Sequence, residues 1–234
     1  MIPLYFNETT YLEFLEYLYS LAETRYKEFH SRLIKDSNLI GVRTPVLKQI
    51  AKEISKHDYQ GFIEYNSKKT YEEKVLYGLV LGYIKVDFET RLQLLNDFIP
   101  YIDNWAINDI VCANIKDFKK NYERGYSFII SCIRSNQPWR MRFGIVLLLD
   151  FYIHDIYIDR ILELCNTIRS EDYYVKMAIA WLLSICYIKY KEKTLLFLQT
   201  TLLDDWTYNK AIRKIIESSR VSRDEKLNLR KLKK

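Results

Sequence analysis

The sequence predicts an all-α protein of stacked antiparallel helix pairs, and three observations carry that prediction. Apolar residues recur with helical spacing along nearly the whole chain. Only six glycines and four prolines occur in 234 residues, too few for a β-rich fold with a turn every roughly eight to twelve positions. Helices are also expected to open near Tyr71, Trp105, Trp139, Tyr173 and Trp206, a step of about 34 residues, which is the range of helical solenoid repeats. The glycines and prolines are scattered, so no stretch reads as a flexible linker, and residues 1–234 are expected to form one domain.

Taken in order, Tyr11, Phe14, Leu15, Leu18 and Tyr19 form one apolar face of an opening helix. Thr44-Pro45 reads as an N-cap and first-turn proline ahead of Leu47, Ile50, Ala51 and Ile54. A helix over 71–84 turns Val75, Leu76, Leu79 and Val80 inward, and one over 88–98 is stopped by Pro100. Asp103 or Asn104 can cap a short helix from Trp105. Further helices are expected over 122–134, 139–152 (opened by Pro138), 155–168, 172–187, 191–198, 207–218 and 222–232. Short connections make neighbours antiparallel, giving a HEAT-like or TPR-like stack whose inner helices line a concave surface suited to a long ligand.

Charge is unevenly placed. From Thr207 to Lys234 there are ten Lys or Arg against three acids, a surplus of seven, so the remainder carries about −1 of the chain's +6. Such an end suits a phosphate partner; a solvated last helix with a lysine-rich tail is the alternative. Cys112, Cys132, Cys165 and Cys186 are widely spaced in apolar stretches, with no CxxC pair and no nearby histidine. Reduced core thiols are therefore expected, with no metal and no cofactor. The N-terminal residues show no signal peptide, and the longest apolar run, 144–149, is too short to span a bilayer. A cytoplasmic protein with no membrane partner is expected.

Nucleotide-binding, nucleophile-elbow and zinc-protease motifs are missing, and His30, His57 and His154 lack a ligand partner at i+4. What remains is a coincidence of tryptophan and charge. Trp105 and Asp109 lie one turn apart on one helix face; Asp109 either pairs locally or shares a cleft with the indole as a fixed anion. Arg140 and Arg142 leave their helix on different sides, so one can face solvent and the other the inner surface. Trp181 sits on an apolar helix one repeat step later, as core or as a ligand contact.

Gly41-Val42-Arg43-Thr44-Pro45, Trp105-x-x-x-Asp109, Trp139-x-x-Arg142, Lys176-x-Ala178-Ile179-x-Trp181 and Lys210-x-x-x-Lys214 together resemble the DNA alkylation repair family of AlkD-like glycosylases. The resemblance runs from about Gly41 to Val221 and agrees with the repeat fold. It implies a hydrolase of base-excision repair that removes cationic N3- or N7-alkylpurines from double-stranded DNA without flipping the base. Asp109 would be the catalytic carboxylate. Trp105 and Trp181 would pack against the lesion-bearing backbone, and Arg142 would hold a phosphate. Arg140, Lys176, Lys210, Arg213 and Lys214 are further candidate phosphate contacts, and a monomer is expected.

Two departures stand out. The stretch 25–38, where relatives have a helix that enters the minor groove, mixes Arg25, Lys27, Arg32 and Lys35 with Glu28 and Asp36; it forms that helix or a shortened connector. Gly144 stands where alanine is usual. Two other classes of function stay open: a non-catalytic relative that binds branched or distorted DNA, and a helical-repeat scaffold for protein partners.

Overall fold

The computed structural model describes residues 1–34 and 38–234. Among these residues all regular structure is helical, and the helices pack as the pairs of a helical-repeat protein. Contacts divide the chain into two compact units, Met1–Lys120 and Asn121–Lys234.

In the first unit, α1 (Glu8–Ser20) starts at a capping box in which Asn7 and Thr10 satisfy each other's backbone N–H, and it buries Tyr11, Phe14 and Leu18. Then come α2 (Thr24–Leu33), α3 (Thr44–Ile54), α4 (Tyr59–Tyr65), α5 (Tyr71–Tyr83), α6 (Phe88–Phe98) and α7 (Trp105–Cys112). A 3-10 turn, Ile99–Tyr101, ends α6 at Pro100. The seven-residue α4 is too short to show periodicity in sequence. It is held by Asp58, which accepts from the Gly61 N–H at 2.9 Å, and by fully buried Phe62.

Helix α5 is buried nearly all round and lies between α3 and α7. Two of its glycines are points of close approach. A Cβ on Gly78 would stand 2.2 Å from Val111 Cγ2, and one on Gly82 2.1 Å from Asn114 Nδ2. The absence of side chains there lets α7 seat directly on α5. Glu72, also on α5, is fully buried, and its carboxylate accepts the N–H groups of Ile40, Gly41 and Val42 at 2.8, 2.7 and 3.1 Å. Gly41 has φ +109°, a conformation L side chains rarely adopt, and a Cβ there would meet Lys27 Cβ at 2.8 Å. Arg43 forms a two-pronged pair with Glu23 at 2.7 and 2.9 Å. The Gly41–Pro45 motif is thus explained by backbone geometry and by docking of α2 on the start of α3.

The second unit contains α8 (Tyr122–Ile133), α9 (Pro138–Phe151), α10 (Ile158–Cys165), α11 (Tyr173–Lys189), α12 (Lys191–Thr200), α13 (Asp205–Glu217) and α14 (Arg223–Arg230). Helix α11 runs between α9 and α13, while α8 backs α9 and α14 packs on α13. The expected helix over 155–168 is shorter at both ends. Residues 155–157 instead form a turn that buries Tyr157, whose hydroxyl donates to Glu123 Oε1 at 2.6 Å. Gly144 lies where α9 meets α8; an added Cβ would approach Ile133 Cγ1 at 2.9 Å and the Ile129 carbonyl at 3.0 Å. Glycine here goes with tight pairing of those two helices. All four cysteines are buried, and burial pushes the thiols of Cys132 and Cys165 up to about 11 and about 12.

Candidate nucleic-acid interface

In the first unit the candidate residues lie on α7. Asn104 caps this helix, its Oδ1 accepting from the N–H groups of Ala106 and Ile107 at 3.0 and 3.1 Å. An ion pair between Lys74 of α5 and Asp103, with a 2.9 Å hydrogen bond from Asn104 Nδ2 to Asp103 Oδ1, fixes the approach to the helix. Trp105 is the first residue of α7 and Asp109 stands one turn later; both are half-buried, so both reach solvent. Fully buried Asn108 donates from Nδ2 to Asp109 Oδ1 at 3.0 Å, while its own Oδ1 is buried without a hydrogen-bond partner. The carboxylate is therefore oriented by an amide anchored in the core.

Trp105 also ties α7 to α2, its indole N–H donating to the Leu33 carbonyl at 3.4 Å. The mixed-charge stretch thus forms a helix over Thr24–Leu33; Lys35 and Asp36 lie outside the described residues. His30 is buried against α5, its ring 4.9 Å from that of Tyr71. The outward face carries Arg25, Phe29, Arg32 and Leu33, with Phe29 59% and Leu33 48% exposed. Exposed apolar side chains flanked by arginines are what a wedge into a DNA groove needs.

In the second unit, Trp139 and Arg142 sit one turn apart on α9. Arg142 is only 5% exposed, and its Nη1 donates to the Tyr174 carbonyl of α11 at 2.8 Å. Arg140 is half-buried on the same helix. Lys176 pairs with Glu171 at 2.8 Å and with Asp204 at 3.6 Å, and Arg213 with Glu217 at 2.9 Å. Lys210 lies over the Trp206 ring at 5.2 Å.

Trp181 and Lys214, far apart in sequence, line one groove of about 410 Å³ between α11 and α13, together with Ser184, Ile188 and Arg220. Burial holds the Lys214 ammonium below the usual lysine range, and Lys210 and Arg142 push it down further against the opposing pull of Glu217. The charges of Lys210 and Arg142 thus disfavour the Lys214 ammonium, and an anion bound beside Lys214 would relieve that repulsion. Asn108, Tyr174, Phe29 and Arg220 escaped the sequence reading. Arg220 was visible within the basic segment; the other three become apparent only once burial and partners are known.

Among the described residues no group of three or more His, Cys, Asp or Glu is placed to hold a metal ion, and no helix is long and apolar enough to cross a membrane.

The described residues place the protein in the class of all-α helical-repeat proteins. The sequence pattern of the DNA alkylation repair enzyme family matches residues 14–215, and the chain belongs to that family. Membership gives it a role in DNA repair. No curated protein matches the chain significantly.

Proposed function

We propose that this protein is a DNA N-glycosylase that releases N3- and N7-alkylpurines from duplex DNA while the base stays out of any protein pocket. The single observation that supports this most is the half-buried Asp109 carboxylate, oriented by Asn108 and one turn from Trp105.

An N3- or N7-alkylpurine is already cationic and leaves without general-acid help. Breaking its glycosidic bond builds oxocarbenium charge on the deoxyribose, which a fixed carboxylate stabilises while orienting the attacking water. Indole faces attract the cationic nucleotide by on the order of 0.5–2 kcal/mol each. In this reading Trp105 and Trp181 are the indoles that pack on the lesion-bearing strand. Arg142, Lys210 and Lys214 bind phosphates, with Arg140, Lys176 and Arg213 as outer contacts, and α2 enters the minor groove through Phe29 and Leu33. These contacts position the duplex without reading its sequence.

The test is release of N7-methylguanine from duplex DNA by the wild type and by Asp109→Asn. Release by the wild type alone is expected; release that persists in Asp109→Asn overturns the carboxylate's role. A second reading, a non-catalytic protein that binds distorted DNA, draws on the burial of Arg142 and its bond to the Tyr174 carbonyl. Binding without release by the wild type would favour it.

A further inference from the structure

The repeat step places an aromatic residue at the start of each of the helices α9, α11 and α13, and within the second unit these rings touch in a row. The Trp139 ring lies 4.7 Å from that of Tyr174 at an interplanar angle of 33°. Tyr174 contacts Tyr173 at 5.2 Å, and Tyr173 contacts Trp206 at 5.7 Å. Core aromatics pack away from water, but here Tyr173 is 53% and Trp206 40% exposed. None of these rings lines the groove beside Trp181.

Ion pairs engage most of the charges around the row, and Lys210 lies over the Trp206 ring at 5.2 Å. Asp172 and Asp204 are spent as N-caps of α11 and α13. Lys176 pairs with Glu171 and Asp204, and Lys234 lies 3.8 Å from Asp205. The C-terminal residue is fastened to α13 by two hydrogen bonds with Asn209, at 2.8 and 3.1 Å, and by its ammonium over the Tyr208 ring at 4.7 Å. Lys234 thus lies against the helix that carries Trp206, where Lys210 lies over the indole, and exposed Arg230, Lys231 and Lys233 precede it in the chain.

We propose that this aromatic row, flanked by the basic C-terminal segment, is a second DNA site that takes unpaired bases of a single strand. Every base has a face that can stack on a ring, and lysines beside the rings hold the backbone, so binding of this kind tolerates any sequence. The centroid steps exceed the roughly 3.4 Å per nucleotide of a stacked strand, so a strand that follows them is partly unstacked, as unpaired DNA is and duplex is not. The proposal rests on the chain's acting on DNA, but not on glycosylase chemistry.

The experiment measures fluorescence anisotropy of a labelled oligothymidine of about 15 nucleotides, a length within the site sizes of single-strand binders, and of a blunt duplex of equal length. The full-length proteins compared are wild type, Tyr173→Ala/Trp206→Ala and Trp206→Phe. Both rings are exposed, so circular dichroism melts should superimpose. The expected result is about tenfold weaker binding of the oligothymidine per ring lost, near-wild-type binding by Trp206→Phe, and a clearly smaller loss on duplex, limited to the seating of Lys210 over Trp206. Equal oligothymidine affinity in wild type and the double alanine variant overturns the proposal, as does a loss of the same size on duplex. Ring-dependent binding in a protein that releases no alkylated base leaves this site standing and removes the glycosylase reading.

Discussion

The indole N–H of Trp105 donates to the backbone carbonyl of Leu33, 72 residues earlier, at 3.4 Å. One bond thereby links the C-terminal end of α2 to the first turn of α7, the helix that carries Asp109. The residue proposed to pack on the lesion also braces the helix proposed to enter the groove. Trp105→Phe keeps a ring and removes the donor. Its stability should fall by no more than about 1 kcal/mol, the net worth of one hydrogen bond. Base release in single-turnover assays should slow by about tenfold or more through loss of positioning. A variant with wild-type rates would show that the indole contributes its face alone.

Phe29 tests the outward face of α2. It is 59% exposed, so Phe29→Ala should change folding stability by no more than about 0.5 kcal/mol. If the ring is a groove wedge, duplex affinity falls while the slope of log affinity against log salt stays as in the wild type, because no cation is lost. A melting shift without an affinity change would make Phe29 a folding residue instead.

Much of this architecture can be read from the residues. The aromatic openers and the 34-residue step place α5, α7, α9, α11 and α13, since amphipathic faces and caps act locally. Helix α4 is hidden because seven residues carry too little periodicity. The limits of α10 depend on Tyr157 finding Glu123 across the unit, which no local pattern announces. Of the candidate site, Trp105, Asp109, Arg142 and Trp181 stand out where tryptophan and charge coincide, while their roles and the later lysines come from the family resemblance. The Asn108 anchor and the burial that disfavours the Lys214 ammonium arise from long-range packing, which spacing does not encode.

Lys214 separates charge from packing in the groove beside Trp181. Its ammonium is disfavoured by burial and by two neighbouring cations, so Lys214→Met should leave the fold at least as stable as the wild type. If a phosphate occupies the groove, the same variant weakens duplex binding on every sequence and lowers the salt slope by about 0.9. Salt titrations of anisotropy on two unrelated duplexes measure both quantities. An unchanged slope would remove Lys214 from the phosphate contacts.

Gly78 sets how α7 sits on α5. Alanine is the better helix former by about 1 kcal/mol, yet its Cβ would fall 2.2 Å from Val111 Cγ2 and 2.8 Å from Phe98 Cζ. Overpacking of this kind should dominate, leaving Gly78→Ala destabilised by about 1–3 kcal/mol in urea unfolding. Because Val111 belongs to α7, the shift should also displace Asp109 and slow base release. A stabilised Gly78→Ala would mean that the two helices separate without cost.

His30 gives the fold a pH dependence with a definite sign. The ring is buried between Tyr26 and Tyr71, with Nδ1 lacking a hydrogen-bond partner. Burial lowers its pKa from 6.5, against a smaller opposing pull from Glu72. Below that value the unfolded chain takes up a proton that the folded chain resists, so stability falls as acid is added, from the unfolded pKa down to the lower folded one. Above 6.5 the ring is neutral in both states and the contribution is constant. His30→Phe keeps the packing and cannot titrate. Melts between about pH 7.5 and pH 5.5, which bracket a histidine, should show wild type losing stability relative to His30→Phe, with α2 the segment that loosens first by amide exchange. Parallel curves for the two proteins would mean that α2 stays seated whether or not His30 is charged.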